Sequence, residues 1–312
     1  MKINDSVYSE SSAYALIKSV FSPFLRPAFC KAVPSIFYNF FLRQYHAAFF
    51  PGRIPVTKVD HQLDKKIPFV PSWITIYLDF VQFWVRMLSF FVRRYRRKSF
   101  IPVRDFITSM GNLYAFAAEV YSKNLSTTKR PFYIARPRFL LIHLLDPHLM
   151  CIPSLHVMIA VHTYTMFSVI AKQLGEEENL NDQIEEMEQG ALAISRAILF
   201  VKQHSVNCIP AALYAMTCFN PGVFTPQEAE RFTSLLFSPA PGKNITLENC
   251  NVPLRSKVHP SASPSTVIPE ADLSLIKSHI LSLYSRFLEE KKTAVNWYDP
   301  LLIFLKTYNA NE

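Results

Sequence analysis

The chain has 312 residues, half of them hydrophobic and only 18% charged, with 26 Phe, 14 Tyr and a net charge of +9. An average soluble domain carries about 25% charged residues, and six Gly against 22 Pro argue against both a Gly-rich nucleotide-binding α/β fold and an all-β chain of tight turns. No helix-turn-helix, zinc-finger or RNA-binding signature accompanies the basic excess, which excludes nucleic acid and leaves a membrane surface or an anionic substrate as the partner.

Five cysteines (Cys30, Cys151, Cys208, Cys218, Cys250) are odd in number and lack paired spacing, against both a disulfide framework and a zinc site. Met1-Lys2 is followed by polar and acidic residues, not by the apolar core of a cleaved signal peptide. Ala13 to Phe29 reads as an interfacial amphipathic helix. Val33 to Phe50 reads as a span interrupted by Arg43 and His46, and Pro51 to Pro71 as a polar loop. Ser72 to Val92 has about the 20 residues a spanning helix needs, with Asp79 and Arg86 expected to face protein or water. It ends in Arg93-Arg94-Tyr95-Arg96-Arg97-Lys98, a cluster that stays cytoplasmic.

Val103 to Tyr121 returns as the next span, and Leu155 to Ala171 goes back in. Lys172 to Gln189 reads as a solvated acidic loop. Ala191 to Val201 is a short outward span that preceding helical residues can extend, and Ser205 to Phe219 completes the bundle. Thr225-Pro226-Gln227-Glu228 starts a capped helix. Ser238 to Pro269 is a Pro/Ser-rich linker. Leu273, Ile276, Ile280, Tyr284, Phe287 and Leu288 repeat at helical spacing, and Trp297 to Tyr308 is a last apolar helix broken by Pro300. The expected fold is all-α: a polytopic membrane bundle of five to six spans. It divides into an N-terminal interfacial helix and first span (1–50), a core (51–222) and a C-terminal helical extension (223–312) that packs on the bundle or the inner leaflet.

The stretch from Lys129 to His156, KRPFYIARPRFLLIHLLDPHLMCIPSLH, gathers fixed cations, a hydroxyl and an imidazole. An Arg fork and a Lys charge complement phosphate oxygens, and an imidazole exchanges protons near neutral pH. Taken alone, the stretch reads equally as a basic loop touching lipid headgroups. With the Arg93 to Lys98 cluster inside, the span count puts Lys129, Arg136, His156 and His204 at one outer boundary. His143, Asp146 and His148 read as ordinary loop polarity, with substrate contact as the alternative, and His162 as an interior histidine.

These residues resemble the type 2 phosphatidic acid phosphatase superfamily of membrane lipid phosphatases and phosphotransferases, whose motifs are KxxxxxxRP, PSGH and SRxxxxxHxxxD. Lys129, Arg136 and Pro137 match the first. Pro153-Ser154-Leu155-His156 matches the second, with Leu for Gly. The third aligns on Lys202-Gln203-His204, the KQH form of some branches. In that register Ala197 and Ile198 stand where the family has Ser and Arg, Lys202 stands in for the Arg, and Arg196 is the fallback. Cys208, with Asn207 beside it, replaces the family Asp that orients the histidine. The likeness covers roughly residues 50 to 220.

The resemblance implies that His204 attacks phosphorus to give a phosphohistidine and that His156 protonates the leaving group. Lys129, Arg136 and Lys202 or Arg196 would stabilise the equatorial oxygens, and Ser154 would donate a hydrogen bond, with no metal and no cofactor. It implies a lipid phosphatase of an inner or plasma membrane, acting on a lipid phosphate or pyrophosphate from the extracytoplasmic side. Cys208 sustains two alternatives: a weak or inactive member that binds lipid phosphate or a protein, and a headgroup phosphotransferase.

Overall fold

A computed structural model describes residues 6–237 and 268–309. They form an almost entirely helical bundle. Its centre is α8 (Leu155–Gln173), apolar on every side rather than along one stripe, which is the pattern of a helix surrounded by others. Packed around it are α5 (Phe80–Tyr95), α6 (Phe100–Tyr121), α9 (Asn181–Phe200) and α10 (Cys208–Phe219). Of these, α5 is strongly one-sided: it buries Phe83, Trp84, Met87, Leu88, Phe90 and Phe91. Its two interior charges meet each other, Arg86 donating to both oxygens of Asp79 at 2.8 Å, the bidentate geometry that makes a desolvated pair tolerable.

The N-terminal region is α1 (Ser12–Phe21), α2 (Arg26–Ile36), a π-helical stretch over Phe37–Leu42 and α3 (Arg43–Phe49). The helical run therefore starts at Arg26, not at Val33, because Pro27 occupies the first turn, where its missing N–H costs nothing. It crosses α6 at Gly111, where an added Cβ would lie 2.9 Å from the Ala32 Cα, and Ser35 Oγ donates to the Gly111 carbonyl at 3.0 Å. The outer face of this run is apolar: Phe37, Tyr38, Phe41, Leu42, Phe49 and Phe50 are all exposed.

Ser72 to Val92 is not one helix. It breaks between α4 (Ile74–Leu78) and α5, and the axis bends by 41° there. Among the described residues, only α8 is long and apolar enough to cross a membrane by itself; the bent run from Pro71 to Tyr121 is the second if taken as one span. With 12 residues, α10 is about 18 Å long, short of the ~30 Å hydrocarbon core. The acidic segment expected as a solvated loop is largely the first half of α9. Glu186 accepts from the backbone N–H of Val7 at 2.8 Å, and Glu188 pairs with Arg231. Glu, Gln and Met are good helix formers, and these carboxylates bind partners rather than water alone.

At one end of the bundle two short strands, β1 (Val56–Lys58) and β2 (Leu125–Thr127), pair in parallel, an element the sequence reading lacked. A bridge from Ser126 to Met150 adds the next segment. The ends of α6 and α9 and the starts of α8 and α10 converge here: Tyr121 OH donates to the Pro153 carbonyl, and Asn207 Nδ2 to the Val59 carbonyl at 3.2 Å. The short α7 (Pro137–Leu145) lies beside α4. At the opposite end the basic cluster is partly neutralised, with Arg93 and Arg94 both paired to the buried Glu10.

The C-terminal extension packs on the bundle. In α11 (Pro226–Leu235), Thr225 caps the helix by accepting from the Glu228 N–H. α12 (Glu270–Lys291) buries Leu273, Ile276, Ile280, Tyr284 and Phe287, and Pro300 starts α13 (Asp299–Thr307) rather than breaking a helix. Lys66 pairs with Asp272, and Tyr308 OH donates to the Asp60 carbonyl at 2.5 Å. The α12–α13 pair therefore begins and ends at the stranded end of the bundle. The linker expected over Ser238 to Pro269 lies outside the described residues except for its last two.

Candidate functional site

Three of the residues singled out in the sequence meet at the stranded end. Ser154 ends the loop that enters α8, and its hydroxyl is buried without a hydrogen-bond partner. His156, in the first turn of α8, is held between Tyr77 and Phe80, with ring centroids at 4.3 and 4.2 Å. His204 lies in the loop between α9 and α10, only 7% exposed, its ring centroid 5.4 Å from that of His156 and nearly perpendicular to it. Its Nδ1 is buried and unpartnered. Unsatisfied buried polar atoms are uncommon in folded proteins and call for a reason; two of them converge here.

A third imidazole joins them. His148 lies with its centroid 6.1 Å from His204. It is buried and its φ is +59°, the left-handed region that a non-glycine residue occupies only when its surroundings impose it. Its Nε2 is 2.8 Å from Thr128 Oγ1, and its Nδ1 is 3.8 Å from Asp146 Oδ2. Asp146 also accepts from the His148 backbone N–H at 2.9 Å and from Gln44 Nε2 of α3 at 2.5 Å. Arg130 closes the cluster: it donates to the Asp146 carbonyl at 3.1 Å and to Gln203 Oε1 at 3.3 Å, and lies 3.6 Å from the Asp146 carboxylate. Asp146 and His148, expected to be loop polarity, are thus part of the site.

Burial pushes the Asp146 carboxyl up, but the hydrogen bonds and charge of His148, with Arg130, more than offset it and hold it below the ordinary carboxylate range. Burial pushes His148 down, and Arg130 adds to that, against the opposing pull of Asp146. His204 is driven well below the ordinary imidazole value by burial and then by His156 and His148, with Asp146 and the Cys151 backbone opposing. At neutral pH, His204 is therefore an uncharged imidazole carrying a free lone pair.

The expected cations go elsewhere. Lys129 is exposed, and its backbone N–H donates to Asp60 Oδ1 at 2.7 Å. Arg136 is exposed at the start of α7. Lys202, with φ +53°, donates to the carbonyls of Asp64 and Ile67, so it pins the Gln62–Lys66 turn rather than facing the histidines. Arg196 is buried and donates to the Leu235 and Leu236 carbonyls, satisfying the open end of α11. Asn207 does not orient His204: its Oδ1 is 2.8 Å from His279 Nε2 of α12, and His279 stacks on His61 at 4.1 Å. Cys208 is fully buried, and it and Cys151 are free thiols. His162, beneath the site, has its Nε2 2.8 Å from Ser109 Oγ.

Among the described residues no group of three or more His, Cys, Asp or Glu is arranged to hold a metal ion. What the arrangement offers chemically is a neutral nucleophilic imidazole facing a second imidazole, with an open hydroxyl and a fixed guanidinium at its edge. Comparison with protein-family models, with characterised proteins and with solved structures finds no match to this chain.

Proposed function

We propose that this chain is a membrane phosphohydrolase that cleaves a lipid phosphate or pyrophosphate through a phosphohistidine, as its resemblance to the type 2 phosphatidic acid phosphatase superfamily implies. The observation that carries the proposal is the facing pair His204 and His156, 5.4 Å apart between ring centroids, beside the unpartnered Ser154 hydroxyl. His204 attacks phosphorus with its free lone pair, and the phosphorus–oxygen bond to the alcohol or phosphate leaving group breaks. His156, entering the step as the imidazolium, gives the departing oxygen its proton. Water then attacks the phosphohistidine, His156 takes a proton from it, and phosphate leaves with His204 restored. Phosphoryl transfer needs positioning and charge stabilisation more than covalent assistance. Arg130 and Ser154 supply these at the edge of the site.

The membrane part of the proposal is carried by the exposed apolar face of α2, the π-helical stretch and α3, continued on α7 by Leu140, Leu141, Leu144 and Leu145. An exposed patch of this extent marks an interaction surface. The substrate reaches the site from this side, and the site faces the extracytoplasmic compartment, opposite the Arg93 to Lys98 cluster. A polytopic arrangement, with the bent Pro71 to Tyr121 run among its spans, belongs to the same proposal. A reporter inserted after Ala171 then reads as cytoplasmic.

Purified protein in detergent, assayed against a panel of lipid phosphates and pyrophosphates, should release phosphate, and His204→Ala should lower kcat about a thousandfold or more. No release from any member, with wild type and His204→Ala indistinguishable, would sink the proposal. A headgroup-exchange product without free phosphate would make the chain a transferase. One observation favours a second reading, a lipid-phosphate binder with little turnover: Cys208 stands at the family's Asp, and Asn207 is engaged by His279. On that reading Cys208→Asp raises a low basal rate. On the first, with Asp146 and His148 already beside His204, it does not.

A further inference from the structure

Beside the site, on the proposed lipid-facing side, a groove of about 420 Å³ runs between the end of α3 and the strand pair. Its walls are Ala47, Phe50, Val56, Leu125 and Leu149, and Arg53 and His46 stand at its mouth. Its volume is within the range of ordinary ligand pockets. No carboxylate lines it. The Arg53 guanidinium lies 4.8 Å from the Phe50 ring centroid and has no acidic partner among the described residues. His46 packs on the same ring, 4.9 Å between centroids.

Two connections bear on what fills the groove. Outward, its wall continues into the exposed Phe49, Phe41 and Leu42, so an occupant can slide in from hydrocarbon without crossing water. Inward, its floor is the backbone that builds the site. Val56 faces Leu125 in the strand register, and Ser126 N–H donates to the Leu149 carbonyl at 3.0 Å. From there Leu149 is followed back to His148, and Leu125 runs on to Thr128. An apolar trough that opens to a lipid-facing surface and carries unpaired positive charge at its rim fits an amphiphile with a single chain in the trough and negative charge at the mouth.

We propose that this groove holds one hydrocarbon chain of an anionic membrane lipid, with Arg53 and His46 taking the negative charge of its headgroup region. The inference rests on the membrane reading above but not on turnover at His204. The test uses the full chain reconstituted in phosphatidylcholine vesicles containing a few per cent of phosphatidylglycerol with a photoreactive acyl chain. This probe is anionic but carries no phosphate monoester for the site to hydrolyse. After irradiation, mass spectrometry should place adducts on Phe50, Val56, Leu125 or Leu149. Ala47→Trp, which fills the trough, should lower that labelling about tenfold. Arg53→Glu should lower labelling by the anionic probe while leaving labelling by a phosphatidylcholine probe of the same chain unchanged.

Adducts confined to other surfaces, equal labelling in wild type and both variants, or labelling by a free photoreactive fatty acid in solution but not by the vesicle lipid would each overturn the inference. The two proposals fail separately. Labelling of the groove without phosphate release from any lipid phosphate removes the catalytic reading alone, and phosphate release with an unlabelled groove removes this one alone.

Discussion

Thr128, Lys129 and Arg130 leave the end of a strand, where successive side chains point to opposite faces. Thr128 meets His148 and Arg130 meets Asp146, while Lys129 between them is exposed. A six-residue spacing to Arg136 singles out Lys129, but the period of two gives the inward place to its neighbour. Arg130→Gln should accordingly lower kcat/KM for lipid phosphate about a hundredfold, the scale of losing one fixed charge stabiliser, with Lys129→Gln within about threefold of wild type. The reverse order in steady-state kinetics would return Lys129 to the site. The histidines and Ser154 were legible because short motifs carry chemistry in adjacent residues. Asp146 and His148 were not, since nothing in Asp-Pro-His announces a left-handed turn that folds an imidazole back toward His204.

Among the elements, apolar periodicity located α6, α8 and α12 well, because a buried stripe at helical spacing has few other interpretations. It gave the second half of α9 and left its extension toward the N-terminus open; the first half is acidic and is held by partners distant in sequence, Val7 and Arg231. It also could not place three-residue strands, which are too short to show alternation. The packing of α2 on α6 turns on Gly111, since an added Cβ would meet the Ala32 backbone at 2.9 Å, well inside van der Waals contact. Gly111→Val should force the helices apart at a cost of about 1–3 kcal/mol, as overpacking does. It should lower Tm and raise protease cleavage in the N-terminal helices before the rest of the chain. Unchanged Tm and cleavage would show that this crossing tolerates bulk.

For the whole molecule, the all-helical class was legible from composition alone, whereas the number of spans was not. Apolar segments were counted as crossings, yet most of them bury their apolar faces on one another. The exposed apolar surface gathers on the N-terminal helices and α7, while the outer face of α12 carries Ser278, Ser282, Ser285, Arg286 and Glu289. Four wholly or half-buried histidines set the pH response of the bundle. His61, His148, His204 and His279 are all lowered, each by burial first, His279 to about 4. Unfolded imidazoles take up protons near 6.5. Stability is therefore full above that pH and is lost as pH falls from about 6.5 toward 4, because the unfolded chain binds protons that the folded one refuses. Tm should drop between pH 7.5 and 5, and His279→Gln, which keeps a donor toward Asn207, should shrink the drop. A flat Tm over that interval would show that these imidazoles are not held neutral.

The strap made by α12 and α13 has a geographic consequence. It leaves the stranded end at Asp272, travels down the bundle and returns, so that Thr57 Oγ1 donates to the Leu305 carbonyl and Tyr308 to Asp60. Whichever compartment the histidine pair faces, the chain at Tyr308 faces it too. A split-enzyme tag inserted just after Asn309 is thus a compass for the site, one that on the proposed topology reads from outside intact cells and needs no substrate at all.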